Sequence, residues 1–124
     1  MAYFDQKSTV DYIGVVQGVP VCFDAKECNT DTFPLANIHD HQVEFMKNFE
    51  KQDGIAFLLI SFTRRNAFYY MRFEELLKFW NRMLEGGRKS FRYDELDEMF
   101  FLKETPGVFI PYLEALQKDL EQRD

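Results

Sequence analysis

A chain of 124 residues with 46% hydrophobic and 17% aromatic content can bury one core of ordinary size, and is too apolar for a disordered segment, so a single domain over residues 1–124 is expected. A net charge of −6 excludes an indiscriminate binder of polyanions. The longest apolar run, residues 55–60, is far too short to span a bilayer and residues 1–5 lack a basic-then-apolar signal pattern, so a cytoplasmic protein with no membrane partner is expected.

The distribution of charge says more than its sum. Residues 63–92 carry eight basic side chains against three acidic ones, and residues 93–124 carry three against nine. A basic middle between acidic flanks suits local contact with DNA, and a solvated mixed-charge surface fits the same numbers. Cys22 and Cys28 lack a metal-type spacing and read as free thiols.

Along the chain, Ala2-Tyr3-Phe4 is a short apolar start and residues 5–9 are polar. Residues 11–27 then read as two strands joined at Gln17-Gly18, because Tyr12, Val16, Val19, Val21 and Phe23 are the β-branched and aromatic types that strands favour. With a two-residue turn, Val16 pairs with Val19, Gly14 with Val21 and Tyr12 with Phe23, so Asp11 falls opposite Asp24. The turn type stays open, since Gln is a poor residue for positive φ. Alternation places Tyr12, Val19, Val21, Phe23 and Ala25 on one face, read as core, and Asp11, Ile13, Cys22, Asp24 and Lys26 on the other.

That second face has the parts for phosphodiester hydrolysis. Two facing carboxylates repel, and a hard divalent ion such as Mg²⁺ between them removes the conflict. Lys26 is placed to orient a water or to stabilise charge developing on a phosphate. On the hairpin alone, a solvated charged edge is the competing reading.

Residues 28–34 read as a polar connection ended by Pro34. A helix is expected from about Ile38 to Gln52, capped by Asn37 or Asp40 and stopped at Gly54. His39, His41 and Gln42 lie in its first turn, as DNA-facing or supporting polar residues or as ordinary surface groups; histidines two apart do not share a helix face. Residues 55–63 form a central strand buried on both faces, residues 64–66 a turn and residues 67–72 the returning strand. A helix over roughly 74–84 follows, with Leu76, Leu77, Trp80, Met83 and Leu84 as its apolar stripe and Trp80 in the core. Arg88, Lys89 and Arg92 form a basic loop suited to phosphate, before a short acidic helix at about 93–99. Pro111 opens a last helix whose apolar side is Tyr112, Leu113, Leu116 and Leu120.

The runs Thr9-Val10-Asp11-Tyr12, Phe23-Asp24-Ala25-Lys26-Glu27, Phe33-Pro34-Leu35, Ile38-His39-Asp40-His41-Gln42, Gln52-Asp53-Gly54-Ile55 and Gly87-Arg88-Lys89-Ser90-Phe91 together resemble the RecU Holliday-junction resolvases over most of the chain. The resemblance implies an α/β fold, a restriction-endonuclease-like mixed sheet flanked by helices. It implies a homodimeric endonuclease of DNA recombination and repair that cuts four-way or branched DNA with Mg²⁺ or Mn²⁺. Asp11 and Asp24 become metal-binding carboxylates, Asp24 standing where the family commonly has Glu. The Ala25 carbonyl becomes a further ligand and Lys26 the active-site lysine, while Gln42 takes the place of a polar residue near the site. DNA contact falls to His39, His41, Gln42, Arg88, Lys89 and Arg92. Asp11 lies ten residues after Met1, so the family's upstream acidic helix residue and basic stalk are expected to be missing. The alternative expectation is a non-catalytic module for DNA binding or protein interaction.

Overall fold

The computed structural model describes residues 10–102 and 112–123. The apolar start at Ala2-Tyr3-Phe4, the helix-opening Pro111 and the side chains of Tyr112 and Leu113 lie outside the described residues. In chain order the elements are β1 (Tyr12–Val16), β2 (Val19–Cys28), β3 (Thr32–Pro34), α1 (Asp40–Lys51), β4 (Ile55–Phe62), β5 (Ala67–Arg72), α2 (Phe73–Leu84), β6 (Ser90–Arg92), β7 (Phe101–Leu102) and α3 (Tyr112–Gln122). A five-stranded sheet has the order β1-β2-β4-β5-β7, with β2 and β4 parallel and the other pairs antiparallel, while β3 and β6 form a separate two-stranded sheet. This mixed α/β sheet with flanking helices is consistent with the restriction-endonuclease-like arrangement that the resemblance implies.

The hairpin register follows the counting: Tyr12 faces Phe23, Gly14 faces Val21 and Val16 faces Val19. Gln17 and Gly18 both take positive φ, 50° and 84°, so the tight turn holds a residue that enters this region reluctantly beside one that enters it freely. From the hairpin a file of rings crosses four strands, Tyr12 on Phe23, Phe23 on Phe57 and Phe57 on Tyr70, with centroids 5.0, 5.1 and 4.2 Å apart. This cross-strand packing fixes one face of the sheet.

The central strand is the eight-residue β4, Ile55–Phe62, buried along nearly all its length because helices cover both faces. Consecutive tyrosines on β5 point to opposite faces, and each meets a buried carboxylate. Tyr69 donates to Glu75 of α2 at 2.6 Å, and Tyr70 donates to Asp119 of α3 at 2.6 Å. Burial drives both phenols far above their ordinary range, so they remain donors. Just past α3, Arg123 holds Asp119 and also Glu50 of α1, whose Oε2 accepts the Ala56 N–H at 2.7 Å.

Burial also raises the Glu75 carboxyl above its ordinary 4.5, against the opposing effects of Tyr69, Arg72 and Lys78. The folded protein therefore holds this proton more tightly than the unfolded chain does. The associated stability is complete below the unfolded value and is lost as pH rises through the folded one. Glu75→Gln keeps an acceptor for Tyr69, so in thermal melts from pH 4.5 upward it is expected to gain stability relative to the parent as pH rises.

Four expectations are corrected. The basic loop is partly a strand: Phe91 of β6 is buried and stacks at 4.9 Å on Phe33 of β3, which draws residues 32–34 out of the expected polar connection as well. The acidic helix is instead two 3₁₀ turns, Tyr93–Glu95 and Glu98–Phe100, because the backbone is extended at Leu96 and Asp97, where the Asp97 side chain accepts the Met99 N–H at 2.9 Å and opens the second turn. In α2, Phe73 and Phe79 join the buried stripe with Leu76 and Trp80, while Leu84, the last residue of the helix, is 67% exposed. Finally, α1 starts at Asp40 and its N-cap position is His39, neither Asn37 nor Asp40.

Candidate active site

The end of the hairpin brings the acid pair together through backbone as well as side chains. The Asp11 N–H donates to Asp24 Oδ1 at 2.9 Å, and the Ala25 N–H donates to Asp11 Oδ2 at 2.9 Å. Each carboxylate is thus held by the other strand of the turn, a reciprocal arrangement that exists only if the register is the one counted above. Asp11 is exposed, and Asp24 is 3% exposed.

A buried carboxylate needs compensation, and Asp24 Oδ2 has two donors. Lys26 Nζ lies 2.8 Å away, and Gln42 Nε2 donates at 3.2 Å. The other end of the same amide, Gln42 Oε1, accepts from Lys26 Nζ at 3.3 Å and from the His39 N–H at 3.2 Å. One glutamine therefore binds the acid and the lysine and also satisfies an N–H at the start of α1. The face bearing Asp24 is accordingly covered by α1, whereas the sequence assigned packing only to the opposite face. Cys22, two residues earlier on this face, is buried, and burial, then the Glu50 and Asp24 carboxylates, push its thiol up to about 12, so it is no nucleophile.

The residues expected to face DNA divide into three groups. Gln42 is 7% exposed and bonded to Asp24 and Lys26 rather than turned to the surface. His39 and His41 are exposed and adjacent, with parallel rings 5.4 Å apart. Their separation on different helix faces does not hold, because His39 precedes the helix with extended backbone. Arg88, Lys89 and Arg92 are exposed around the start of β6; Arg88 lies 3.9 Å from Glu95 and Arg92 lies 3.3 Å from Asp94. Arg65, in the basic turn at residues 64–66, is held by a bidentate pair with Asp31 at 2.8 and 2.7 Å and lies over the Tyr93 ring.

The donors fit a hard divalent cation. Asp11, Asp24 and the Ala25 carbonyl offer oxygen only, and Mg²⁺ commonly takes one or two carboxylates and fills its remaining positions with water and phosphate. Among the described residues no cluster of three or more His, Cys, Asp or Glu side chains forms a closed protein cage. Among them also, no helix is long and apolar enough to cross a membrane.

Comparison with known proteins gives the family. The family described as RecU, recombination protein U, matches residues 1–118. The chain is 41% identical over 122 residues to the Holliday junction resolvase RecU of Pediococcus pentosaceus, covering 97% of this chain and 61% of that protein. It is 44% identical over 117 residues to the protein of the same name from Listeria innocua, covering 94% and 57% respectively. With the one from Bacillus subtilis it shares 48% over 98 residues, 78% of this chain and 47% of the relative. The chain thus spans less than two-thirds of the length of each of these relatives. On the extent of the family match and on these identities, the chain belongs to the RecU family.

Proposed function

We propose that this chain carries the catalytic core of a metal-dependent DNA endonuclease that hydrolyses phosphodiester bonds at Holliday junctions or other branched DNA. The observation that carries this reading is the junction of Asp11, Asp24, Lys26 and Gln42 in one bonded cluster at the end of the hairpin, in a chain similar to proteins named Holliday junction resolvase.

Asp11, Asp24 and the Ala25 carbonyl are the groups that would hold Mg²⁺ or Mn²⁺, which when bound supplies Lewis acidity to the phosphate and lowers the pKa of water. The chain's own residues do the rest. Lys26 brings a positive charge to the acid pair, where it stabilises negative charge developing on the phosphate. Gln42 fixes the lysine and Asp24 relative to each other, so that neither has to reorganise during reaction. Asp11 accepts the Ala25 N–H and so holds the Asp24–Ala25 peptide beside the acid pair. Arg88, Lys89 and Arg92 contact phosphates away from the cut. A homodimer is part of the proposal, because two equivalent cuts in a symmetric four-way junction call for two equivalent sites.

The test is a cleavage assay of the purified protein on four-way, flap and linear DNA. Mg²⁺ or Mn²⁺ is expected to support cutting of the four-way substrate in preference to the linear one, and EDTA to stop it. Junction binding without cutting in either metal would instead establish the non-catalytic DNA-binding module.

A further inference from the structure

Joined to the acid pair through Gln42, the start of α1 and the end of α2 line an open cleft of about 470 Å³. We propose that this cleft receives an unpaired nucleobase of the DNA strand, adjacent to the phosphate that is cut. The inference rests on the nuclease reading and adds to it the feature of branched DNA that the site recognises.

Three observations converge on a base. The first is the wall: Trp80 and Met83 of α2 line the cleft, and Trp80 is 8% exposed, so its body is anchored in the core while one margin faces the opening. A fixed aromatic margin with a pliable thioether beside it suits a flat apolar ring. The second is that His39 and His41 also line the cleft, with rings 5.4 Å apart and 1° from parallel. Such a pair is a platform on which another flat ring can stack. The third is the polar rim. Asp40 offers a carboxylate that accepts from an exocyclic amino group, and Lys89 offers an ammonium for the attached phosphate. The Lys89 carbonyl accepts the Leu35 N–H at 3.0 Å, which fixes the backbone of this lysine against the floor of the cleft.

Position ties the cleft to the chemistry. Gln42 Oε1 accepts from both the His39 N–H and Lys26 Nζ, so a single atom joins the cleft wall to the active-site lysine. A nucleotide with its base in the cleft leaves its neighbouring phosphate beside Asp24 and Lys26. In a continuous duplex the faces of the bases are stacked away, so only an unpaired or unstacked base can enter.

Trp80 is the only tryptophan of the chain, and it reports on the cleft directly. With EDTA present to prevent cutting, a saturating four-way junction is expected to quench Trp80 emission, and an intact duplex of the same length is expected to leave it nearly unchanged. His41→Ala removes a stacking surface and is expected to weaken junction affinity about tenfold, with duplex affinity unaltered. A junction that binds in a mobility-shift assay without altering Trp80 emission overturns the cleft assignment and leaves the nuclease proposal standing. So does equal quenching by duplex, or an unchanged junction affinity in His41→Ala. Failure of the parent to bind or cut any DNA overturns both.

Discussion

Asp24→Asn is expected to reduce metal-dependent cleavage on the order of a thousandfold or more, while junction binding and melting temperature remain close to the parent's. The substitution keeps shape and an oxygen to accept the Asp11 N–H that Asp24 Oδ1 now accepts. It removes the charge that a divalent cation requires. The fold has means to absorb the change. Lys26, only partly buried, can swing its ammonium to water, and the Gln42 amide can rotate to meet the new one. Single-turnover cleavage, a mobility shift in EDTA and a thermal melt on the same preparation separate the three effects. Cleavage that retains its Mg²⁺ dependence in this variant removes Asp24 from the metal site. Loss of cleavage together with loss of folding shows instead that the carboxylate acts through packing.

The legible part of this molecule is the part governed by local periodicity. The pairing of Tyr12 with Phe23 follows from a two-residue turn and a period of two, and with it comes the contact between Asp11 and Asp24. The double burial of β4 follows from an unbroken apolar run. What the sequence hid depends on partners distant in the chain. Residues 90–92 look like a basic loop until Phe91 finds Phe33, nearly sixty positions earlier. His39 looks like the second residue of a helix until Gln42 accepts its N–H, an acceptance that also requires Lys26 and Asp24 to be in place. Gln42 in turn looks like a surface polar residue, because nothing local shows that an acid–lysine pair lies beneath it. The paired buried carboxylates Glu75 and Asp119 were invisible for the same reason. Each is justified by one of two adjacent tyrosines on another element.

Lys26→Met is expected to lower the melting temperature in EDTA, by the equivalent of about 1–3 kcal/mol, and added Mg²⁺ is expected to recover more stability in the variant than in the parent. Asp24 is buried with two cation-type or amide donors on Oδ2, and the ammonium at 2.8 Å is the only one of them that carries charge. Methionine fills most of the same volume and supplies no charge, so the carboxylate is left with the Asp11 N–H and the Gln42 amide alone. Breaking a fully buried pair in this way costs about 3–5 kcal/mol; the partial exposure of Lys26 and the two remaining donors reduce the figure. A divalent cation between the acids takes over the neutralisation, which is why the variant should respond to it more strongly. In the parent, a cation bound there would share the Asp24 carboxylate with the lysine, so part of its binding free energy would go into displacing or rearranging the ion pair. Melts in EDTA and in Mg²⁺, with Ca²⁺ as a second hard cation, measure the difference directly. A variant as stable as the parent in EDTA shows that Asp24 needs no ammonium. Equal Mg²⁺ responses in both show that Lys26 does not compete for the acid, and its place beside Asp24 is then set by the reaction alone.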